Sequence, residues 1–327
     1  MDWKGRPVVV TGAGGFIGSH LTERLLRLGA RVRAMAHGDP RQHPGWLAHV
    51  PEELRGQLEV EGGDLRDFPT VRRLIAGADT VFHLGAVTSV AYSYQNPRET
   101  FEVNALGTLH VCEACRDASV RRLVHTSTAG VYGNARDDQP ITEDHPVAAC
   151  NPYTAGKLAG DMAVQTYCLS YDLPGATIRL FNVYGPRMGS YLIMPTVITQ
   201  LMQGSELRLG DLTPIRPFVY VDDILDAYLA MADAECVVGE VVHFGSEHSI
   251  SMAALVALIA DLMGVTPRII EEPSRLRPRR SEIYRVRVDC GKARRLLSWT
   301  PCVSLDTGLR ETIRWVQQGG YTSVKDA

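Results

Sequence analysis

Tyr153-Thr154-Ala155-Gly156-Lys157 sets a phenol and an ammonium four residues apart. On a helix, positions i and i+4 share a face, so the two groups lie one turn from each other. A cation beside a phenol favours the phenolate, which then serves as a base near neutral pH. The chain has 34 basic residues, yet only Lys4, Lys157, Lys292 and Lys325 are lysines. An arginine fork is not the same compact donor, so a lysine at 157 has a chemical reason. The plainer alternative is a surface lysine beside a half-buried tyrosine. Upstream, His125-Thr126-Ser127-Thr128 reads as the end of a strand, from which the Thr128 hydroxyl could share a substrate proton with Tyr153.

A second group of residues suits a phosphate ligand. Thr11-Gly12-Ala13-Gly14-Gly15-Phe16-Ile17-Gly18 follows a β-branched run and opens a helical pattern. Glycines at 12, 15 and 18 would give a tight turn, close backbone approach to a pyrophosphate, and close packing of helix on sheet. The helix N-terminus would then offer free N–H groups to the phosphates. A glycine triplet alone is weak, but after a strand and before a helix it indicates dinucleotide binding. The second strand ends at Ala36-His37-Gly38-Asp39, with no acid at 36 for a ribose hydroxyl, while His37 or Arg41 could face a 2′-phosphate. This feature leaves NAD and NADP both open. Asp64-Leu65 suits an adenine edge, although Asp64 could equally cap a helix.

These groups need elements to hold them. Pro7–Val10, Arg31–Met35, Leu58–Val60, Thr80–Leu84, Arg122–Thr126 and Ala176–Leu180 read as strands. Helical patterns lie between, after the glycine cluster, at Thr70–Leu74 and at Thr100–Ala118. Continuous apolar strands alternating with helices predict an α/β fold, a Rossmann-like doubly wound parallel sheet with ligands beyond the carboxyl ends of its strands. Residues 1–183 form the expected dinucleotide-binding domain. From about 184 prolines and turns multiply, predicting a smaller C-terminal substrate-binding domain over 184–217 and 246–327. Residues 218–245, with a helix at Asp222–Asp233 and a strand at Val241–Phe244, should return to the main sheet. Another helix is expected at Met252–Met263, and Gly38–Gln57 reads as a surface excursion.

Composition narrows the function class. The 327 residues are 45% hydrophobic and 22% charged, with net charge −3, which excludes a generally basic nucleic-acid binder and a polybasic membrane-surface protein. No apolar stretch approaches the roughly 20 residues of a membrane span, and the N-terminus lacks signal-peptide anatomy, so a cytoplasmic protein is expected. Seven scattered cysteines suggest no disulfide framework. Cys112-x-x-Cys115 has metal-like spacing but no second pair, inside an apolar helical pattern, so core packing is expected and no metal.

With these motifs in place, the chain resembles the extended short-chain dehydrogenase/reductase family, the NAD-dependent nucleotide-sugar epimerases and dehydratases. The resemblance rests on Thr11–Gly18, Asp64-Leu65, His83-Leu84-Gly85-Ala86, Val103-Asn104-Ala105-Leu106-Gly107-Thr108, Thr128–Gly133 and Tyr153–Lys157. It continues through Phe181–Arg187, Arg216–Asp223 and Trp299-Thr300-Pro301. Ala91-Tyr92-Ser93-Tyr94 and Leu276-Arg277-Pro278 are nearest to the UDP-N-acetylglucosamine 4,6-dehydratase-like branch. The resemblance implies a catalytic triad of Thr128, Tyr153 and Lys157. It implies NAD held by Gly12, Gly15, Phe16, Ile17, Gly18, Asp64, Leu65, Leu84, Ala86, Asn104, Tyr153 and Lys157. Substrate would be held by Thr88, Thr128, Asn182, Arg187, Arg216 and Arg277, with arginine forks on the diphosphate. A homodimer is also implied.

Two departures from the family pattern matter. Family 4,6-dehydratases follow the catalytic hydroxyl with acidic residues that eliminate water, whereas this chain has Ala129 and Gly130. Pro217 replaces the aspartate that usually follows the arginine at 216. The expected reaction is therefore C4 epimerisation of a UDP-sugar through a transient 4-keto intermediate. The alternatives are a 4,6-dehydratase drawing on Glu143, His145 or Cys150, and a 4-ketoreductase using external NADPH. A dinucleotide-sensing protein would have no need of the Tyr153/Lys157 pair.

Overall fold

Each apolar run read as a strand is one in the computed structural model, which describes residues 2–39, 41–42, 44–134, 139–273 and 283–321. The strands are β1 (Pro7–Thr11), β2 (Arg31–His37), β3 (Leu58–Gly63), β4 (Thr80–His83), β5 (Arg122–Thr128), β6 (Gly175–Leu180), β7 (Asn182–Tyr184), β8 (Glu206–Leu209), β9 (Ile215–Tyr220), β10 (Val241–Phe244), β11 (Ser249–Ser251) and β12 (Arg268–Glu271). The helices are α1 (Phe16–Arg27), α2 (Phe68–Ile75), α3 (Val90–Gln95), α4 (Pro97–Phe101), α5 (Gly107–Asp117), α6 (Pro152–Tyr171), α7 (Ile193–Gln203), α8 (Val221–Asp233), α9 (Met252–Met263), α10 (Gly291–Leu297) and α11 (Leu305–Gln317).

Among the described residues the main sheet has seven strands in the order β10-β6-β5-β4-β1-β2-β3, all paired in parallel. Alternation along the strands feeds two cores. Val8, Val10, Phe82 and Val124 face Leu21 and Leu25 of α1 and Ile224 of α8. Val9, Val81 and Leu123 face Val71 and Leu74 of α2, Val111 of α5 and Val164 of α6. Cys112 and Cys115 are buried in this second core. The strand order reverses between β1 and β4, so their carboxyl ends diverge and open a crevice. The glycine loop after β1 and the ends of β5 and β6 border it.

The rest departs from the reading in instructive ways. The helix expected over 100–118 is present as one helical run, α4 passing through a π-helical turn Glu102–Leu106 into α5. The turn widens the helix where Asn104 points inward. Gly38–Gln57 is no simple surface excursion, because two 3₁₀ turns bury Trp46, Leu47 and Val50. The Trp46 N–H donates to the Gly14 carbonyl at 2.9 Å, and its ring meets Trp315 edge-on at 5.5 Å. That segment folds over the glycine loop. β7, β9 and β11 form a separate three-stranded sheet, and β8 pairs with β12. Residues 218–220 therefore stay in the small sheet, while α8 and β10 make the return to the large one.

Candidate active site

The loop after β1 cannot accept larger side chains. Gly12 has φ +68°, and a Cβ there would stand 2.7 Å from the Gly85 nitrogen. A Cβ on Gly18 would stand 2.2 Å from the Gly12 oxygen. Gly15 caps α1 in extended conformation without a side-chain cap, so the first-turn N–H groups are left for a ligand. Phe16, Ile17 and Gly18 line the crevice there. A helix N-terminus left open in this way suits an anionic group such as a phosphate.

The crevice holds about 1370 Å³. That exceeds the roughly 300–1,000 Å³ of a drug-sized pocket, which leaves room for two ligands end to end. Met35, Ala36, His37 and Gln42 line one end, and Asp39, two residues past β2, is not part of that wall. Asp64 lies beside them, fixed by Arg66, whose Nε reaches both carboxylate oxygens at 3.0 Å. That pairing, ahead of burial, holds the Asp64 carboxyl below its usual range. Asp64 does not cap α2; the N-cap residue is Asp67.

At the other end, α6 starts with a capping box between Asn151 and Thr154 and with Pro152 in its first turn. These fix the first turn and with it Tyr153, which lines the cleft with Thr128 of β5. The Thr128 hydroxyl accepts the Gly130 N–H at 3.1 Å and so is oriented toward the phenol. Burial pushes the Tyr153 phenol up to about 12, against the lowering by its hydrogen bond with Thr128. The lowering expected from Lys157 is not seen in the protein alone, where Tyr191 and Asp161 add to the effect of burial. Lys157 is 3% exposed, beneath the cleft floor, and burial pulls its ammonium down to about 8 against the pull of Asp161.

The remaining residues divide. Leu65, Leu84, Ala86, Thr88, Asn182 and Arg216 line the cleft. Asn182 Nδ2 donates to the Pro217 carbonyl at 3.0 Å, so Pro217 serves as an acceptor beside the site. Arg216 turns its guanidinium to the carbonyls of Ile215 and Ile283. Asn104 is not in the cleft wall: its amide oxygen accepts the Val87 N–H at 2.8 Å and its amide nitrogen donates to the Val87 carbonyl at 2.9 Å. These two bonds tie it to the loop after β4. Arg187 is also turned away, its Nη2 donating to Glu23 at 2.9 Å on α1. Arg277, with Arg279 and Arg280, lies outside the described residues.

Three alternative acid/base groups can be placed. Glu143 accepts the His243 backbone N–H at 2.8 Å, His145 stands edge-on to Tyr132 at 5.9 Å, and Cys150 accepts from Asn151 Nδ2 at 3.8 Å. None is in the cleft wall, whose described carboxylates are Asp64 and Glu99. Glu99 accepts the Tyr92 hydroxyl at 2.5 Å. The sequence reading missed Tyr191 and Asn151, which also line the cleft. A proline-initiated helix after an asparagine was the signal available for Asn151.

Residues 9–312 match a family model described as GDP-mannose 4,6 dehydratase, and that span contains both the glycine cradle and the Tyr153/Lys157 helix. The chain belongs to the extended short-chain dehydrogenase/reductase family. It is 34% identical to a UDP-glucose 4-epimerase of Mycolicibacterium smegmatis over 313 residues, covering 94% of this chain and 97% of that protein. The structure of UDP-glucuronic acid 4-epimerase from Bacillus cereus, with UDP-glucuronic acid and NAD, superposes with TM-score 0.87 at 27% identity, over 95% of this chain and 99% of that one. A dTDP-glucose 4,6-dehydratase from Streptomyces venezuelae, with NAD bound, superposes with TM-score 0.86 at 30% identity, over 98% and 100% of the two chains. This family member is an NAD-dependent enzyme acting on nucleotide sugars. Among its described residues no helix is long and apolar enough to cross a membrane.

Proposed function

We propose that the protein is a nucleotide-sugar C4 epimerase acting on a UDP-linked sugar. One observation carries the choice over dehydration. The two residues after Thr128 line the cleft as Ala129 and Gly130, and neither can remove a C5 proton or protonate a departing hydroxyl. The space is also closed to a side chain, since a Cβ on Gly130 would stand 2.7 Å from the Thr154 methyl of the capping box. The likeness to two C4 epimerases supports the same reading.

The glycine loop and the first turn of α1 would hold the NAD pyrophosphate, and Asp64 and Leu65 the adenine end. Leu84 and Ala86 would flank its path, with Lys157 toward the nicotinamide ribose. Bound NAD supplies reversible hydride acceptance at C4 and, as a cation, opposes the effect of burial on the phenol. Tyr153 takes the C4 hydroxyl proton, assisted by Thr128, and returns it after the 4-keto sugar has turned in the pocket. Thr88, Asn182 and Arg216 would orient the substrate along the opposite wall. We expect UDP-glucose, UDP-N-acetylglucosamine or UDP-glucuronic acid to give an isomer of unchanged mass, detectable by chromatography with mass analysis. A product lighter by one water would instead identify a 4,6-dehydratase.

A homodimer belongs to the same proposal. α6 packs on α4, the π turn and α5, and the outer side of this layer exposes Phe101, Leu106, Leu109, Met162, Leu169 and Tyr171. Leu169 is 79% exposed, unusual for a leucine on a long helix. A stable dimer buries about 1,600 Å² in total, within reach of such a helical layer. Light scattering should give twice the chain mass, falling to the single mass when Met162 and Leu169 are both changed to glutamate. A wild-type monomer at micromolar concentration would remove the dimer from the proposal.

A further inference from the structure

α6 carries three polar side chains at one-turn spacing, Tyr153, Lys157 and Asp161. The first two belong to the proposed chemistry, and the third has no part in it so far. Asp161 is 2% exposed, and a carboxylate at that depth is costly unless it is well paired. Its partners come from β5 and β6, Ser127 at the cleft wall among them. Arg179 of β6 donates from Nε to Oδ2 at 3.0 Å, with Nη2 also 3.0 Å from that oxygen. His125 of β5 places Nε2 at 3.3 Å from Oδ1. Arg179 is fixed in turn, because Nη1 donates to the Tyr132 hydroxyl at 2.5 Å and the guanidinium lies 5.0 Å from that ring's centre. The Tyr132 hydroxyl meets His243 Nε2 at 2.7 Å.

The charges in this interior are few. The groups facing Lys157 are Tyr153 and Asp161 on its own helix, His83 of β4, His125 of β5, and Arg179 of β6 across Asp161. Tyr228 of α8 and Tyr191 face the phenol. Burial, with the nearby cations, drives His83 and His125 to their neutral forms, and the buried tyrosines keep their protons. Among these described groups, one anion stands between two cations. Arg179 contacts it directly, whereas no carboxylate among the described residues comes within ion-pair distance of Lys157.

We infer that Asp161 is a positioning residue for the reaction, a carboxylate fixed by Arg179 and His125 that keeps the Lys157 ammonium charged beside Tyr153. The inference rests on the epimerase reading of Tyr153 and Lys157. Without the carboxylate, two buried cations would face each other. The guanidinium does not give up its proton, so the ammonium would. A neutral amine no longer favours the Tyr153 phenolate. Activity that needs the ammonium is present below the Lys157 pKa and lost as pH rises through it, so a lower pKa moves the alkaline limb to lower pH.

The test is the pH profile of kcat and KM for the NAD-loaded Asp161→Asn enzyme on the UDP-sugar it epimerises. The alkaline limb should move down by about one pH unit or more. At mildly alkaline pH that lowers kcat about tenfold, with KM little changed. Asp161→Glu should restore the limb. An unmoved limb, with only a lower melting temperature, would overturn the inference and leave Asp161 a structural partner of Arg179. If the asparagine variant does not fold, Arg179→Gln carries the test with opposite sign. It leaves Asp161 to Lys157 alone and should move the limb up; a limb unmoved or lowered would overturn the inference. A wild-type enzyme that turns over no nucleotide sugar defeats the epimerase reading and this one with it, whereas an unmoved limb in an active variant defeats only the role of Asp161.

Discussion

Replacing Tyr153 with phenylalanine is expected to lower turnover by about 10²–10⁴-fold, the usual worth of a positioned general acid–base group. The ring keeps its place, because the capping box and Pro152 fix the first turn of α6 and owe nothing to the hydroxyl. What disappears is the oxygen that hydrogen-bonds with Thr128. Substrate affinity should therefore stay close to wild type, and so should the melting temperature. The phenol is held well above neutral pH by burial in the protein alone, so its loss removes a group that must be activated in the complex. Initial rates on the epimerised sugar, with substrate binding measured separately, decide the matter. Activity within about tenfold of wild type would mean that another group takes the proton.

How far the chain could be read depended on whether a residue's role was local or distant. β1, the glycine loop and α1 follow one another in sequence, so Gly12 and Gly18 announce both their turn and its ligand. Tyr153 and Lys157 were legible for the same reason, a helical repeat of four. The pairing of Arg187 could not be read from the sequence, because its partner Glu23 lies 164 residues away on α1. The contacts of Asn104 were hidden because a π turn, invisible in an apolar pattern, carries it onto the Val87 backbone. Asp161 continues the same repeat by one more turn, but Arg179 and His125, which make it a fixed charge, arrive from two other strands. Trp46 lay in a stretch rich in Pro, Gly and His, and only its contacts with Gly14 and Trp315 turn that stretch into a cover for the loop.

The same locality makes Gly18→Ala the sharpest probe of cofactor binding. One methyl group there would sit 2.2 Å from the Gly12 oxygen and 2.9 Å from the Ala13 Cα, both backbone atoms that no rotamer change can move aside. Gly12 cannot retreat, since the space on its other side is closed by Gly85 at the end of β4. The loop must therefore open away from α1, which separates the pyrophosphate site from the N–H groups that would hold it. Overpacking of this kind costs about 1–3 kcal/mol of stability by itself. The larger effect concerns the ligand. NAD at 100 times its dissociation constant stabilises a folded protein by about 2.7 kcal/mol, and the alanine variant should lose that increment together with any dinucleotide carried through purification. Gly56→Ala is the matched control, because a methyl there meets nothing within 4 Å. Melting curves with and without NAD should separate the two variants: Gly56→Ala keeps the NAD-dependent shift, whereas Gly18→Ala melts at one temperature in both conditions. A Gly18→Ala protein with a full NAD shift would mean that the cofactor is held by surfaces other than this turn.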